Sequence, residues 1–82
     1  MIINFGSVFK KDFIKAKQAG FTNKLENLLH IIKKDPYQIP PPYEKLAGHP
    51  SRYSRRINVQ HRLVYEIKGD TIRLLKCWGH YE

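Results

Sequence analysis

The sequence predicts an α+β fold, in which two N-terminal helices pack on one face of a small twisted, mainly antiparallel β-sheet. Three observations predict it: apolar residues at helical spacing in the first half, a proline-rich connector, and strand-like runs in the second half. With 82 residues, the chain is predicted to form one domain, residues 1–82. Apolar residues make up 41% and charged residues 27%, a balance typical of globular rather than disordered chains.

The chain is predicted to begin with a short strand and a helix. Residues 1–5 form an apolar, strand-like run. Ser7 is predicted to cap the first helix, because its side-chain oxygen can accept a hydrogen bond from an unpaired backbone N–H. Apolar residues then recur at helical spacing up to Gly20, which is predicted to stop the helix.

A second helix is predicted from one apolar stripe. The stripe has the spacing i, i+3, i+4, i+7 and consists of Leu25, Leu28, Leu29 and Ile32. Asn23 and Glu26 match the spacing of a capping box at its start. Pro36 is predicted to end it, since the residue before a proline avoids helical conformation. The connector at residues 38–43 holds three prolines, which exclude helix and central strand because proline lacks a backbone donor.

Strand-like runs fill the second half of the chain. Residues 53–59, 62–68 and 71–78 are predicted to be strands. Gly69 and Asp70 separate the last two runs, and a Gly-Asp pair between apolar runs indicates a two-residue hairpin loop. The last two strands are therefore predicted to pair as an antiparallel hairpin.

The hairpin register assigns side chains to the two faces of the sheet, because successive side chains of a strand alternate. The face predicted to lie under the helices contains Leu63, Tyr65, Ile67, Ile72, Leu74 and Trp78. The other face contains Arg62, Val64, Glu66, Arg73, Leu75 and Cys77, with Arg62 opposite Cys77 and Val64 opposite Leu75. A tight turn at Val59-Gln60 would add Arg55 to this second face. We therefore expect one helix-covered face and one partly basic face.

Charge favours a polyanionic partner. The net charge is +8, and residues 45–65 contain no acidic side chain. The cations of that stretch are Lys45, Arg52, Arg55, Arg56 and Arg62. Fields of this sign attract nucleic acid first, and an acidic protein or an anionic membrane second.

Composition excludes several other kinds of protein. The single cysteine, Cys77, excludes an intramolecular disulfide framework and zinc fingers built on paired cysteines. No residues stand at metal-ligand spacing, so we expect no metal and no cofactor. No apolar run approaches the ~18 residues of a membrane span, and the N-terminus does not resemble a signal peptide. The expected location is a reducing cytoplasm, without a membrane partner.

Four residues are candidates for chemistry on the basic face. The predicted register places His80 near Arg62. A histidine beside an arginine suits phosphate chemistry, because imidazole titrates near neutral pH and arginine forms bidentate hydrogen bonds to phosphate oxygens. Glu44 is the last acid before the basic stretch, and Tyr81 is a candidate for stacking or hydrogen bonding. Ordinary surface positions would explain Glu44 and His80 equally well, so the residues alone leave catalysis open.

Several blocks together resemble the YoeB/Txe toxins of bacterial type II toxin–antitoxin systems, within the RelE-like superfamily. The blocks are Glu44-Lys-Leu46, Tyr53-Ser-Arg-Arg-Ile57, Gln60-His-Arg-Leu-Val-Tyr65 and His80-Tyr81. The resemblance implies an endoribonuclease that cuts mRNA in the ribosomal A site and needs no metal.

The resemblance also implies residue roles. Glu44 would be the general base, Arg62 would stabilise charge on the phosphate, and His80 would be the general acid. Tyr81 would shape the site. Contacts to RNA are expected from Lys45, Arg52, Arg55, Arg56 and Arg73.

The implied partners are a cognate antitoxin of the YefM, Axe or Phd kind, and a ribosome with mRNA in its A site. Operator DNA would be bound only through the toxin–antitoxin complex, and a homodimer is plausible. Two alternatives remain open on the sequence. One is a gyrase-targeting toxin of the ParE kind on the same fold. The other is a non-catalytic basic module that binds RNA or the ribosome, which explains the +8 charge equally well.

Overall fold

Two helices and five strands form within residues 1–79, the part of the chain that the computed structural model describes. The elements are β1 (Ile2–Phe5), α1 (Ser7–Gln18), α2 (Thr22–Lys34), β2 (Tyr43–Lys45), β3 (Arg52–Arg56), β4 (Arg62–Lys68) and β5 (Thr71–Lys76). The strand order is β1-β5-β4-β3-β2, with β1 parallel to β5 and the other pairs antiparallel. The predicted fold class is confirmed. Strand β2 was not predicted, because a three-residue strand beside prolines leaves no periodicity in the sequence.

Both helices begin without a polar side-chain cap, so the predicted caps are wrong. Gly6 is the N-cap of α1, and Ser7 is already its first helical residue. Glycine is required at this position, because a Cβ on Gly6 would lie 2.6 Å from the Leu74 carbonyl oxygen. The N-cap of α2 is Phe21, so Asn23 lies inside the helix rather than at a capping box.

The predicted helix ends are confirmed. Gly20 follows α1 with a φ of +84°, in the left-handed region that glycine tolerates best. Asp35 is extended, with a φ of −155°, and Pro36 follows it, so α2 ends where predicted.

The core lies between the helices and one face of the sheet. The predicted stripe of α2 contributes buried Leu25, Leu28 and Ile32, with Leu29 partly buried against them. From the sheet, every apolar residue predicted for the covered face is buried or packs against the core: Leu63, Tyr65, Ile67, Ile72, Leu74 and Trp78. No helix of residues 1–79 is long and apolar enough to cross a membrane.

A β-bulge changes the predicted register of the last hairpin. Pairing runs as predicted from Lys68–Thr71 to Tyr65–Leu74, and then shifts so that Val64 lies opposite Lys76 instead of Leu75. The shift also overturns the pairing of Arg62 with Cys77, whose side chain is fully buried in the core. Burial and the nearby Asp12 carboxylate raise the pKa of the Cys77 thiol to about 12. Cys77 is thus a structural thiol on the covered face.

The connection between β3 and β4 is longer than predicted. Residues 57–61 replace the expected tight turn at Val59-Gln60, and β3 pairs with β4 so that Arg56 lies opposite Arg62 and Arg55 opposite Leu63. A one-residue change of register moves every side chain to the other face. Arg55 therefore lies on the helix-covered face, and its predicted place beside Arg62 is wrong.

Candidate active site on the open sheet face

The sheet face opposite the helices, here called the open face, brings two of the predicted catalytic residues together. The register pairs Glu44 with Ser54, and Arg56 with Arg62, on three neighbouring strands. These side chains line a concave site of about 260 Å³, whose walls are completed by Pro42 and Tyr43. Edge strand β2 thus forms one wall of the site, and the central strands β3 and β4 form its floor.

Arg62 is the centre of this site. Its Nη1 donates to the Ser54 hydroxyl at 3.2 Å, and its Nη2 lies 3.4 Å from Glu44 Oε1. The Arg62 side chain is only 19% exposed, whereas that of Glu44 is 69% exposed. An ion pair with one exposed partner contributes little to stability, at most about 1 kcal/mol. The contact therefore orients the guanidinium but leaves some of its N–H donors available for a ligand. The exposed Glu44 carboxylate is accessible to a ligand as well.

Charge is arranged unevenly along the rest of the open face. Arg56 is exposed at the site itself, where it was predicted to contact RNA. Arg52 is held by Glu66, with 3.3 Å between its Nε and the Glu66 Oε2, so part of its charge is already compensated. Arg73 is exposed and lies opposite Glu66 in the register. The most accessible cations of the predicted set on this face are Arg56 and Arg73.

Two of the predicted RNA contacts do not lie on the open face. Lys45 follows Glu44 on β2 and pairs with Tyr53, so side-chain alternation places it on the opposite face from Glu44. Arg55 is fully buried. Its Nε donates to the Tyr65 hydroxyl, and its two Nη atoms donate to the backbone carbonyls of Pro36, Gln38 and Pro41. A guanidinium bound in this way is not available to RNA.

Sequence reasoning missed several residues that shape the site. Ser54 was not singled out, although strand alternation relative to Arg56 would have placed its hydroxyl on the same face. Lys76 adds a cation to the open face only because the bulge turns it there, and no sequence signal marks that bulge. Tyr43 was overlooked because the strand that carries it was not predicted.

The predicted general acid His80 and its neighbour Tyr81 lie outside the described residues. The chain approaches the site at Gly79, whose carbonyl oxygen accepts a hydrogen bond from the Arg62 N–H at 3.2 Å. Within residues 1–79, no cluster of His, Cys, Asp or Glu could hold a metal ion.

Chemically, the site joins a carboxylate that can accept a proton to a guanidinium that can bind a phosphate. Two helices on one sheet face, with a basic and concave opposite face, define a small α+β protein suited to binding a polyanion.

Comparison with known proteins identifies the family. A family model described as a YoeB-like toxin of bacterial type II toxin–antitoxin systems matches residues 8–81. A toxin YoeB of Mycobacterium bovis is 34% identical over 82 residues, which cover 96% of each chain. The chain therefore belongs to the YoeB-like toxin family of type II toxin–antitoxin systems.

Solved structures agree in fold. A YoeB dimer from Staphylococcus aureus superimposes with a TM-score of 0.83 at 31% identity, covering 99% of this chain and 98% of the other. A YoeB–YefM complex from the same organism gives a TM-score of 0.81 at 30% identity, with the same coverage.

Proposed function

We propose that this toxin is a ribosome-dependent mRNA endoribonuclease that cleaves mRNA in the ribosomal A site and thereby stops translation. The observation that carries the proposal is the contact between Glu44 and Arg62 in a concave site on a basic face. Membership of the YoeB-like toxin family supports the same conclusion.

The spacing of the two side chains suits attack by a ribose hydroxyl on its own phosphate. In RNA, the 2′-oxygen and the phosphorus bound to the neighbouring 3′-oxygen are only a few bonds apart, so a base for the hydroxyl and a cation for the phosphate must be neighbours. Glu44 Oε1 and Arg62 Nη2 lie 3.4 Å apart, which lets each contact one of these groups. The exposed carboxylate can reach a substrate hydroxyl, and the half-buried guanidinium is held in place by Ser54.

The proposed reaction balances without a cofactor. Glu44 takes the proton of the 2′-hydroxyl while the 2′-oxygen forms a bond to phosphorus. Arg62 stabilises the negative charge that accumulates on the phosphate oxygens. The bond from phosphorus to the 5′-oxygen breaks, and His80 protonates this leaving oxygen. The products are a 2′,3′-cyclic phosphate and a 5′-hydroxyl end, and we expect Tyr81 to help hold the substrate.

The remaining cations of the open face would hold the RNA backbone. Arg56 lines the site, and Arg73 and Lys76 continue the positive surface along β5. Arg52 would contribute less, because Glu66 already contacts it. Such contacts position the strand but do not read its bases.

The proposed partners follow the same charge pattern. We propose that an acidic antitoxin segment covers the open face and blocks access to Arg62, as opposite charges favour such docking. The YefM complex of the Staphylococcus aureus relative supports an antitoxin of that kind, and its dimer supports a homodimer. Operator DNA would then be contacted mainly by the antitoxin.

The test is a primer-extension map of mRNA incubated with purified protein, with and without ribosomes that carry an empty A site. We expect a cut in the A-site codon only when ribosomes are present, with a 5′-hydroxyl end that polynucleotide kinase labels without phosphatase treatment. Glu44→Gln should slow cleavage by about 10²-fold or more, the typical contribution of a general base. Glu26→Gln, the same change on the exposed surface of α2, is the matched control and should cleave like the unmodified protein.

Other results would select the alternatives. Binding to ribosomes without any cut, unaffected by Glu44→Gln, would indicate the non-catalytic basic module. Inhibition of gyrase without mRNA cleavage would indicate a toxin of the ParE kind.

A further inference from the structure

We propose that His61 is a positioning residue that holds Gly79, the residue before the proposed general acid His80, against the strand that carries Arg62. The proposal deepens the proposed ribonuclease function and rests on it. His61 was not among the candidate site residues, and it does not line the concave site.

The evidence is a pair of hydrogen bonds on one glycine. The Gly79 N–H donates to His61 Nδ1 at 2.8 Å, and the Gly79 carbonyl accepts from the Arg62 N–H at 3.2 Å. Consecutive residues of the chain therefore bind both backbone polar groups of Gly79. We call this arrangement of His61, Arg62 and Gly79 the Gly79 clamp.

His61 is itself held firmly enough to act as a clamp. Its ring stacks on Trp78, with 4.0 Å between ring centres and 25° between ring planes. The centre of the Phe21 ring lies 5.4 Å from the centre of the His61 ring. Its backbone N–H donates to the Asn58 side-chain oxygen at 2.8 Å, and its carbonyl accepts from the Ile57 N–H at 2.9 Å.

Gly79 depends on this clamp because it has no side chain to pack. Its φ is +86°, so the backbone turns there in the left-handed region immediately before His80. The proposed phosphate-binding residue Arg62 and the proposed acid His80 must approach one phosphate together. Displacement of a catalytic group by about 1 Å can lower the reaction rate about 10²-fold, so we expect the cleavage rate to fall when Gly79 is no longer held in place.

Two substitutions separate the hydrogen bond from the packing. In His61→Asn, the side-chain carbonyl oxygen stands at the same number of bonds from Cβ as Nδ1. The ring is lost, but the backbone hydrogen bonds to Asn58 and Ile57 still hold the residue that carries the acceptor. In His61→Phe, the ring can still stack on Trp78, but no acceptor faces the Gly79 N–H. His61→Gln moves the carbonyl oxygen one bond further out and provides a second variant without the correctly placed acceptor.

The kinetic test measures single-turnover cleavage on programmed ribosomes, with the ribosome concentration varied to saturation. We expect His61→Phe and His61→Gln to lower the saturating rate constant by about 10- to 100-fold, with the half-saturating ribosome concentration unchanged. His61→Asn should stay within about threefold of the unmodified protein, since the placed acceptor is what matters. His30→Asn, on the exposed surface of α2, is the matched control and should change nothing.

A second measurement tests the clamp independently of catalysis. Hydrogen exchange of the Gly79 amide, followed by NMR, should be slow in the unmodified protein and in His61→Asn, and fast in His61→Phe and His61→Gln. Rapid exchange in the unmodified protein would overturn the proposal. So would full activity of folded His61→Phe or His61→Gln, or a loss in His61→Asn as large as in the other two. If the unmodified protein cuts no mRNA, the proposed function fails, while the exchange pattern still decides whether the clamp exists.

Discussion

Arg55 and Arg62 lie on neighbouring strands of one sheet, yet their surroundings differ completely. On the helix-covered face, Arg55 is fully buried, and its Nη2 donates to the Pro36 and Gln38 carbonyls at 3.0 Å each. Its Nε donates to the Tyr65 hydroxyl at 3.0 Å. On the open face, Arg62 has only Ser54 and the exposed Glu44 as side-chain partners among residues 1–79. A guanidinium whose three nitrogens all donate to buried or partly buried acceptors holds the fold together, whereas one with several unused donors can bind a ligand.

The two arginines are nevertheless connected through strand β2. Arg55 also donates to the Pro41 carbonyl, and its guanidinium carbon lies 5.1 Å from the centre of the Tyr43 ring. Glu44 is the next residue. Arg55 thus fixes the connector that leads to the proposed general base, so the covered face positions one wall of the open site.

The largest expected effect is the loss of stability in Arg55→Met. Several buried acceptors would lose their donor, and each such loss costs about 1–3 kcal/mol. We expect the free energy of unfolding, measured by urea denaturation, to fall by about 3–5 kcal/mol. Arg73→Met, an exposed arginine on β5, is the control and should stay within about 0.5 kcal/mol. A loss below about 1 kcal/mol in Arg55→Met would contradict its structural role.

The converse result is expected for Arg62→Met. Because its side-chain contacts are few and involve an exposed carboxylate, the free energy of unfolding should change by no more than about 1 kcal/mol. The rate of mRNA cleavage on ribosomes should fall by about 10²–10³-fold, as for other groups that stabilise transition-state charge. If Arg62→Met unfolded the protein as readily as Arg55→Met, the contrast between the two faces would be wrong.

This contrast also marks what the sequence could predict. The Gly69-Asp70 hairpin and the apolar stripe of α2 depend on neighbouring residues, and both were predicted correctly. The choice between Arg55 and Arg56 depends on the length of the connection at residues 57–61, since one residue more or less exchanges the faces. Local patterns do not encode that length.

The candidate site was only partly predictable for a similar reason. The charge pattern and the predicted register made Glu44 and Arg62 candidates, the resemblance to a family gave them roles, and the structure brings them together. Their separation of 18 positions along the chain leaves no local signal of contact. The roles of His80 and Tyr81 stay predictions, as does the cleavage reaction itself.

A smaller effect is expected on the pH dependence of stability, and it tests whether water is excluded from the buried Cys77 thiol. The pKa of the buried Cys77 thiol is raised from 9.0 to about 12, so the folded state holds the thiol proton more tightly than the unfolded chain. The resulting stabilisation is complete below pH 9 and is lost as pH rises from about 9 towards 12. Between pH 9 and 11, the unmodified protein should therefore lose about 1–2 kcal/mol more unfolding free energy than Cys77→Ala. Equal losses in the two proteins would show that Cys77 is reached by solvent.

The smallest effect is expected at the far end of the open face, for Arg73→Gln. Arg73 is exposed and lies away from the Glu44–Arg62 contact, so neither stability nor the cleavage rate at saturation should change. If RNA follows the open face along β5, loss of one phosphate contact should weaken binding a few-fold and reduce the salt slope of log affinity by about one. Lys45→Gln, which removes a cation from the opposite face of β2, is the matched control and should leave the slope unchanged. An equal change in both variants would mean that RNA affinity depends on the net charge of the protein rather than on contacts along the open face. Arg62 would then bind phosphate without a defined RNA-binding surface around it.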